Sequence, residues 1–184
     1  MIGAVVLAAG EGRRFGGVKQ LAVVDGRPLV SHAARAVAAL SPRVVVLGHA
    51  AEQVREGADL CGASVVVCRD WAGGQSASLR CGVAALGPVD AAVVVLGDMP
   101  GVTHAAVDAV VAAWDGVADA VRATYSGRPA HPVLLGRALL DRVGELRGDA
   151  GFRALLEDAR VIAVEAGHLA DPADIDTREE LARR

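Results

Sequence analysis

The chain is predicted to fold as a three-layer α/β/α sandwich around a mostly parallel sheet. Short Val-rich runs, apolar on both faces, alternate with longer Ala-rich segments, as strands covered by helices on both sides require. At 184 residues, 53% hydrophobic and 22% charged, the chain is long enough to enclose a substantial core. No repeat, low-complexity tract or linker-like stretch divides it, so residues 1–184 read as one domain.

The expected strands are 2–8 (IGAVVLA), 43–47 (RVVVL), 64–68 (SVVVC), 91–96 (AAVVVL), 118–123 (ADAVRA) and 160–165 (RVIAVE). Helices are expected at 28–40, 50–60, 76–86, 103–114, 136–143, 150–158 and 177–183. Pro28 falls where a first-turn proline is tolerated, and Thr103 is a natural N-cap for the Ala/Val stretch behind it. In such sheets ligands gather outside the carboxyl ends of the strands. The turns after residues 8, 47, 68, 96 and 123 are therefore where a site is sought.

Composition excludes several classes of partner. Two Phe, two Trp and one Tyr cannot build a repeated stacking platform for single-stranded nucleic acid. A formal charge of −3 gives no general electrostatic grip on nucleic acid or anionic lipid, so an anionic ligand must be held locally. No apolar run approaches the ~18 residues of a membrane span. The N-terminal apolar run has no basic stretch before it and passes straight into Gly10-Glu11-Gly12-Arg13-Arg14, which is not the pattern of a signal peptide. A cytoplasmic location is expected. Cys61, Cys68 and Cys81 are an odd number without CxxC spacing and read as buried thiols of a reducing compartment, not as a disulfide frame or zinc site.

The first turn, Leu7-Ala8-Ala9-Gly10-Glu11-Gly12-Arg13-Arg14-Phe15-Gly16-Gly17-Val18-Lys19-Gln20-Leu21, is rich in glycine and cations. Such a loop turns successive N–H groups into one concavity, a nest suited to phosphate. Lys19 is the one lysine of the chain, and its compact ammonium differs in kind from the guanidinium of the many arginines. A dinucleotide fingerprint fails here because Phe15 stands at the position of its last glycine. A Walker-type loop fails because Val18 follows Gly17 and Gln20 follows Lys19.

A third pattern fits. The loop, continued by Asp25-Gly26-Arg27-Pro28-Leu29, resembles the signature of nucleotidyltransferases that load a nucleoside monophosphate onto a phosphorylated acceptor. Further blocks follow in order: Gly74-Gln75-Ser76-Ala77-Ser78-Leu79-Arg80-Cys81-Gly82, Leu96-Gly97-Asp98-Met99-Pro100, Arg128-Pro129-Ala130-His131-Pro132-Val133, Gly148-Asp149-Ala150-Gly151-Phe152-Arg153 and Asp174-Ile175-Asp176-Thr177-Arg178-Glu179-Glu180-Leu181. Together they resemble the MobA/MocA-like family, and within it the molybdenum cofactor cytidylyltransferases. The resemblance implies a Rossmann-like sheet of the nucleotide-diphospho-sugar transferase type. It also implies Mg²⁺ (with Mn²⁺ as a substitute), CTP and a molybdopterin-type cofactor as substrates, and a molybdoenzyme as client. Leu-Ala-Ala-Gly and the His-Pro-Val block resemble the cytidylyl branch more than the guanylyl one.

Nucleotidyl transfer brings two anions together, so alignment and charge neutralisation are what the residues must supply. Arg13 and Lys19 are candidates for holding the triphosphate, with Leu7, Ala8, Ala9, Gly10 and Gly12 as its backbone cradle. Arg14 reads equally as a solvated surface residue. Asp98 follows a fully apolar strand and is placed to bind Mg²⁺; otherwise it caps the next turn. Gly74, Ser76 and Ser78 border the nucleobase by resemblance, while either serine also serves as a helix N-cap. His131, between two prolines in a stiff loop, and Asp149 and Arg153 are acceptor-side candidates by the same resemblance; an ordinary turn histidine and a helix-capping Asp149 are the plainer readings. Asp176 is the second metal candidate, with Asp174 beside it. A capping box from Asp176 or Thr177 to Glu179 or Glu180 explains that block without any metal. A non-catalytic nucleotide-binding or cofactor-handling module is the alternative to an enzyme, and Asp98 with Arg13 and Lys19 argues against it.

Overall fold

The structure, a computed structural model, describes residues 1–148 and 153–184, without the side chain of Arg153. Its strands are β1 (Ile2–Ala8), β2 (Val23–Val24), β3 (Arg27–Pro28), β4 (Arg43–Leu47), β5 (Ser64–Val67), β6 (Ala91–Leu96), β7 (Ala120–Tyr125), β8 (Arg128–Gly136) and β9 (Val161–Glu165). The helices are α1 (Leu29–Ala36), α2 (Ala51–Gly57), α3 (Gln75–Leu86), α4 (His104–Ala112), α5 (Arg137–Arg142), α6 (Arg153–Leu156) and α7 (Arg178–Leu181). The main sheet runs β5-β4-β1-β6-β8-β7-β9, and β8 alone opposes its neighbours.

Alternation of apolar side chains divides the core into two layers. Ala4, Val6, Val45, Leu47, Val93 and Val95 point to the face covered by Val30 and Ala33 of α1, Val54 of α2 and Val107 and Val110 of α4. Val5, Leu7, Val44, Val46, Ala92 and Val94 point to the other face, under Ala77, Leu79 and Leu86 of α3 and Leu139 and Leu140 of α5. This is the expected three-layer arrangement. Helix α3 lies close to the sheet because Gly82 has no side chain: a Cβ there would stand 2.5 Å from Val5 Cγ1.

The six expected strands form, displaced by no more than two residues at their starts and ends. The first part of the long strand β8, residues 128–132, is expected from the sequence to be a stiff loop, because Pro129 and Pro132 fix φ. It forms nonetheless between β6 and β7, pairing Val94 with Val133 and Thr124 with Pro129, and the register shifts between Arg122 and Thr124. Thr103 caps α4 as expected, accepting from Ala106 N at 3.3 Å. The cysteine expectation is corrected: Cys68, just after β5, is joined to Cys81 of α3 by a disulfide, and Cys61 is the free thiol. The turn after β5 folds α3 back over the strand that it leaves, bringing the two Cα atoms to 5.8 Å, within disulfide reach.

A third, smaller cluster holds the first turn in place. Phe15 packs with Val24, Leu29 and Ile175, so the glycine-rich loop, the β2–β3 hairpin, the start of α1 and the chain near residue 175 share one apolar contact. The hairpin turns through Asp25 (φ 48°) and Gly26 (φ 73°), the pair of left-handed residues that a tight two-residue turn needs.

Candidate nucleotide site

The sheet order changes direction between β1 and β6: β4 continues to one side of β1, and β6 opens the other. The carboxyl ends of these two strands carry the glycine-rich loop and Gly97-Asp98, and a cleft lies over them, as expected of such a switch point. One part of the cleft, about 240 Å³, is lined by Leu7, Ala8, Gly10, Gly12, Lys19 and Asp98 among others, with Asp176 closing it. The adjoining part, about 560 Å³, continues from the loop past Ala9 to Trp71, Gly74, Gln75 and Ser78.

Lys19 organises the first part. Its ammonium is 2.7 Å from Asp98 Oδ2 and 2.7 Å from Asp176 Oδ1, and its side chain is only 13% exposed. Gly12, at φ 66°, permits this approach, since a Cβ there would lie 2.9 Å from Lys19 Cβ. Burial pushes the Lys19 pKa down, but the charges and hydrogen bonds of Asp98 and Asp176 outweigh it and hold the value above the ordinary one. Asp98 Oδ1 is buried and has no hydrogen-bond partner among the described residues. Asp98 also accepts from Ile175 N through its main-chain oxygen at 3.0 Å, which draws the 174–176 segment to the end of β6.

Asp176 is free to face the cleft because its neighbour does the capping. Thr177 Oγ1 accepts from Glu180 N at 3.2 Å, and Glu180 Oε2 accepts from Thr177 N at 2.9 Å and Asp176 N at 2.7 Å. The Lys19 hydrogen bond holds the Asp176 carboxyl below the usual range; burial opposes this, and Arg14, 2.6 Å from Oδ2, adds to it. Asp174, by contrast, is pushed up by burial and then by the charges of Asp176 and Asp98. A depressed carboxyl stabilises the fold fully above the unfolded-state pKa near 4 and loses that contribution as pH falls through the folded value. Asp176→Asn is therefore expected to lower the melting temperature at neutral pH, the gap to the unaltered protein closing below about pH 4 in a thermal series.

Other candidates fall elsewhere. Arg13 lines both parts of the cleft, yet its side chain is 83% exposed and its Nε donates to Glu11 at 2.6 Å, placing it on the rim. Gly74 and Ser78 line the second part, but Ser76 does not. Ser76 is fully buried and donates to the main-chain oxygen of Gly148, and Gly74 holds the N-cap position of α3, so neither serine caps that helix. His131 lies in β8, outside the lining of the cleft, and its main-chain oxygen accepts from Tyr125 Oη at 2.8 Å. Asp149 lies outside the described residues, as does the side chain of Arg153, whose backbone opens α6.

Burial, then the nearby Arg122 guanidinium, push the His131 pKa down to about 4, leaving the ring neutral at pH 7. The unfolded chain therefore takes up this proton first on acidification. Stability is expected to fall as pH drops from about 6.5 toward 4, and His131→Gln should flatten that slope in denaturant midpoints.

Arg14, Gln20 and Trp71 are cleft residues that the sequence reading did not select. Trp71, whose ring meets His49 edge-on at 5.5 Å, had a signal in its place just before Gly73-Gly74. Among the described residues no three His, Cys, Asp or Glu side chains converge as a ready-made metal cage, and no helix is long and apolar enough to cross a membrane.

Comparison with known proteins agrees with this geometry. A family model described as the MobA-like NTP transferase domain matches residues 4–164. The chain is 32% identical to nicotine blue oxidoreductase of Paenarthrobacter nicotinovorans, over 97% of this chain and 94% of that protein. It is 37% identical to the bifunctional protein GlmU of Kineococcus radiotolerans over 76% of its own length, but spans only 30% of GlmU. Among solved structures it is similar to Rv0371c of Mycobacterium tuberculosis H37Rv, with 30% identity, a TM-score of 0.86 and coverage of 99% and 95% of the two chains. The complex of Rv0371c with manganese aligns at 28% identity and a TM-score of 0.79, covering 99% and 96%.

Proposed function

Because this chain belongs to the MobA-like NTP transferase family, we propose that it transfers CMP from CTP to the phosphate of a molybdopterin-type acceptor, releasing pyrophosphate. The observation that carries the reading is the Lys19 ammonium between Asp98 and Asp176, at the floor of a cleft rimmed by a glycine-rich loop. The choice of CTP and of the acceptor rests on the sequence resemblance, through Ala9 and the His131-Pro132-Val133 block. The chain acts as one cytoplasmic transferase unit, and a molybdoenzyme is the client that takes the product.

Asp98 and Asp176 are the residues that would hold a divalent ion. The fit rests on Asp98 Oδ1, a buried carboxylate oxygen with no hydrogen-bond partner among the described residues, and on a carboxylate pair that already surrounds a cation. Two carboxylates suit Mg²⁺, which completes its octahedron with water and substrate phosphates; manganese bound to Rv0371c is in keeping with this. Bound there, the ion neutralises charge on the triphosphate. The chain's own residues do the rest: loop N–H groups orient the phosphates, Lys19 meets their charge, and Trp71, Gly74 and Ser78 border the base.

The test is pyrophosphate release by the purified protein with Mg²⁺ and molybdopterin cofactor, offering CTP, GTP, ATP and UTP separately. Release with CTP is the expected result. Release with GTP keeps the chemistry and overturns the base; no release from any of the four overturns the proposed reaction. The identity to nicotine blue oxidoreductase favours a second reading, a redox reaction in the same cleft. Oxidation of reduced nicotinamide nucleotides without pyrophosphate release would decide for it.

A further inference from the structure

An anion cradle built from backbone needs its carbonyl oxygens turned away from the ligand, since each one left facing the cleft repels phosphate. In the glycine-rich loop six of them are held by donors. Gln20 Nε2 donates to Ala8 O at 2.9 Å and to Gly10 O at 2.7 Å. Ala9 O accepts from His49 N at 3.1 Å, and Gly12 O from Phe15 N at 2.9 Å. Arg178 takes Phe15 O at 3.2 Å and Gly16 O at 3.4 Å.

Gln20 holds the stretch nearest the strand end. Its side chain is buried, the residue being 6% exposed. The orientation of its amide is forced: both partners are acceptors, so the NH₂ must face them. Oε1 is left buried without a hydrogen-bond partner among the described residues, a cost set against the two bonds that Nε2 makes. A planar trans peptide points its C=O and the following N–H in opposite directions. With Ala8 O and Gly10 O turned to Gln20, the N–H groups of Ala9 and Glu11 point the other way, and both residues line the second part of the cleft.

We infer that Gln20 is a positioning residue, which aims the Ala9 and Glu11 amides at phosphates in the second part of the cleft by holding the carbonyls of Ala8 and Gly10 turned from it. This rests on the nucleotide reading of the cleft. Gln20 itself lines the first part, beside Lys19 and Asp98, and its effect on those phosphates runs through the loop.

The test uses the full chain with Mg²⁺ and inorganic tripolyphosphate, a probe with phosphates and no base. Gln20→Met, of similar length without the donor, is expected to weaken tripolyphosphate binding at least ~10-fold by calorimetry, the loss of one well-placed charged hydrogen bond. Gln20→Glu supplies a readout that packing alone would not move. Its carboxylate repels both carbonyls at pH 8, while its protonated form offers one donor, so its deficit should shrink toward pH 5. Should either variant fail to fold, the unaltered protein decides by amide shifts: those of Ala9 and Glu11 are expected to move most on titration. Unchanged binding in Gln20→Met, or still amides at Ala9 and Glu11 in protein that binds, overturns the role of Gln20. Absence of tripolyphosphate binding by the unaltered protein overturns the nucleotide reading beneath it, and the inference with it.

Discussion

Asp98→Ala is expected to abolish nucleotidyl transfer, lowering turnover by about 10³-fold or more, while circular dichroism and the melting cooperativity stay those of the folded protein. The side chain lies two residues beyond β6, a strand whose residues are apolar and, apart from half-buried Leu96, buried, so its removal does not unseat β6. What disappears is a carboxylate with one oxygen on Lys19 and the other without a hydrogen-bond partner among the described residues. Asp98→Asn refines the result: it keeps the shape and a hydrogen-bonding oxygen but loses the charge that a divalent ion needs. Nucleotide binding with Mg²⁺ should weaken in both variants. A module that merely carries nucleotide would bind it nearly unchanged after either substitution, and that outcome would sink the enzymatic reading.

Lys19→Met is the second large effect. Removing the ammonium leaves Asp98 and Asp176 facing one another across a partly buried space with no cation between them. The repulsion between the two carboxylates is then no longer relieved by a cation held between them. A loss of about 10²- to 10³-fold in kcat/KM is expected, from the missing charge on the triphosphate. Lys19→Arg should not restore the activity: the planar guanidinium is larger than the point charge that two oxygens grip at 2.7 Å, and Gly12 leaves room for little more than the lysine stem. Steady-state kinetics beside thermal melts separates this from unfolding. Recovery of wild-type rates by arginine would show that any cation suffices.

The residues that could be read from sequence are those whose signal is local. Val-rich runs mark strands, buried on both faces at the centre of the sheet but not at its edges β5 and β9, and the glycine spacing before Lys19 marks the loop that rims the cleft. The place of Asp98 in the cleft was legible because it follows a fully apolar strand. What escaped depends on the fold closing. Strand β8 carries two prolines, a local argument against any ladder, and only its place between β6 and β7 overrides it. Ser76 has the spacing of a helix cap, but the cap position goes to Gly74 and the hydroxyl to Gly148, 72 residues away. Asp176 and Thr177 could not be apportioned because both can cap; the structure gives the cap to Thr177 and turns Asp176 to Lys19 in the cleft. Gln20 gave no signal at all, since a glutamine after a lysine reads as surface until two carbonyls are found at its amide.

Phe15, Leu29 and Ile175 pack together, Ile175 is tied to the end of β6, and Asp176 is clasped by Lys19. The glycine-rich loop and the segment some 160 residues later are therefore expected to open and close as one unit. A ligand that binds the loop must deepen the free-energy well of that distant segment by the same amount, because linkage runs both ways. Nucleotide should slow amide exchange at residues 174–178 as strongly as in the loop itself, and clipping the chain before Ile175 should loosen the ligand's grip at its opposite end.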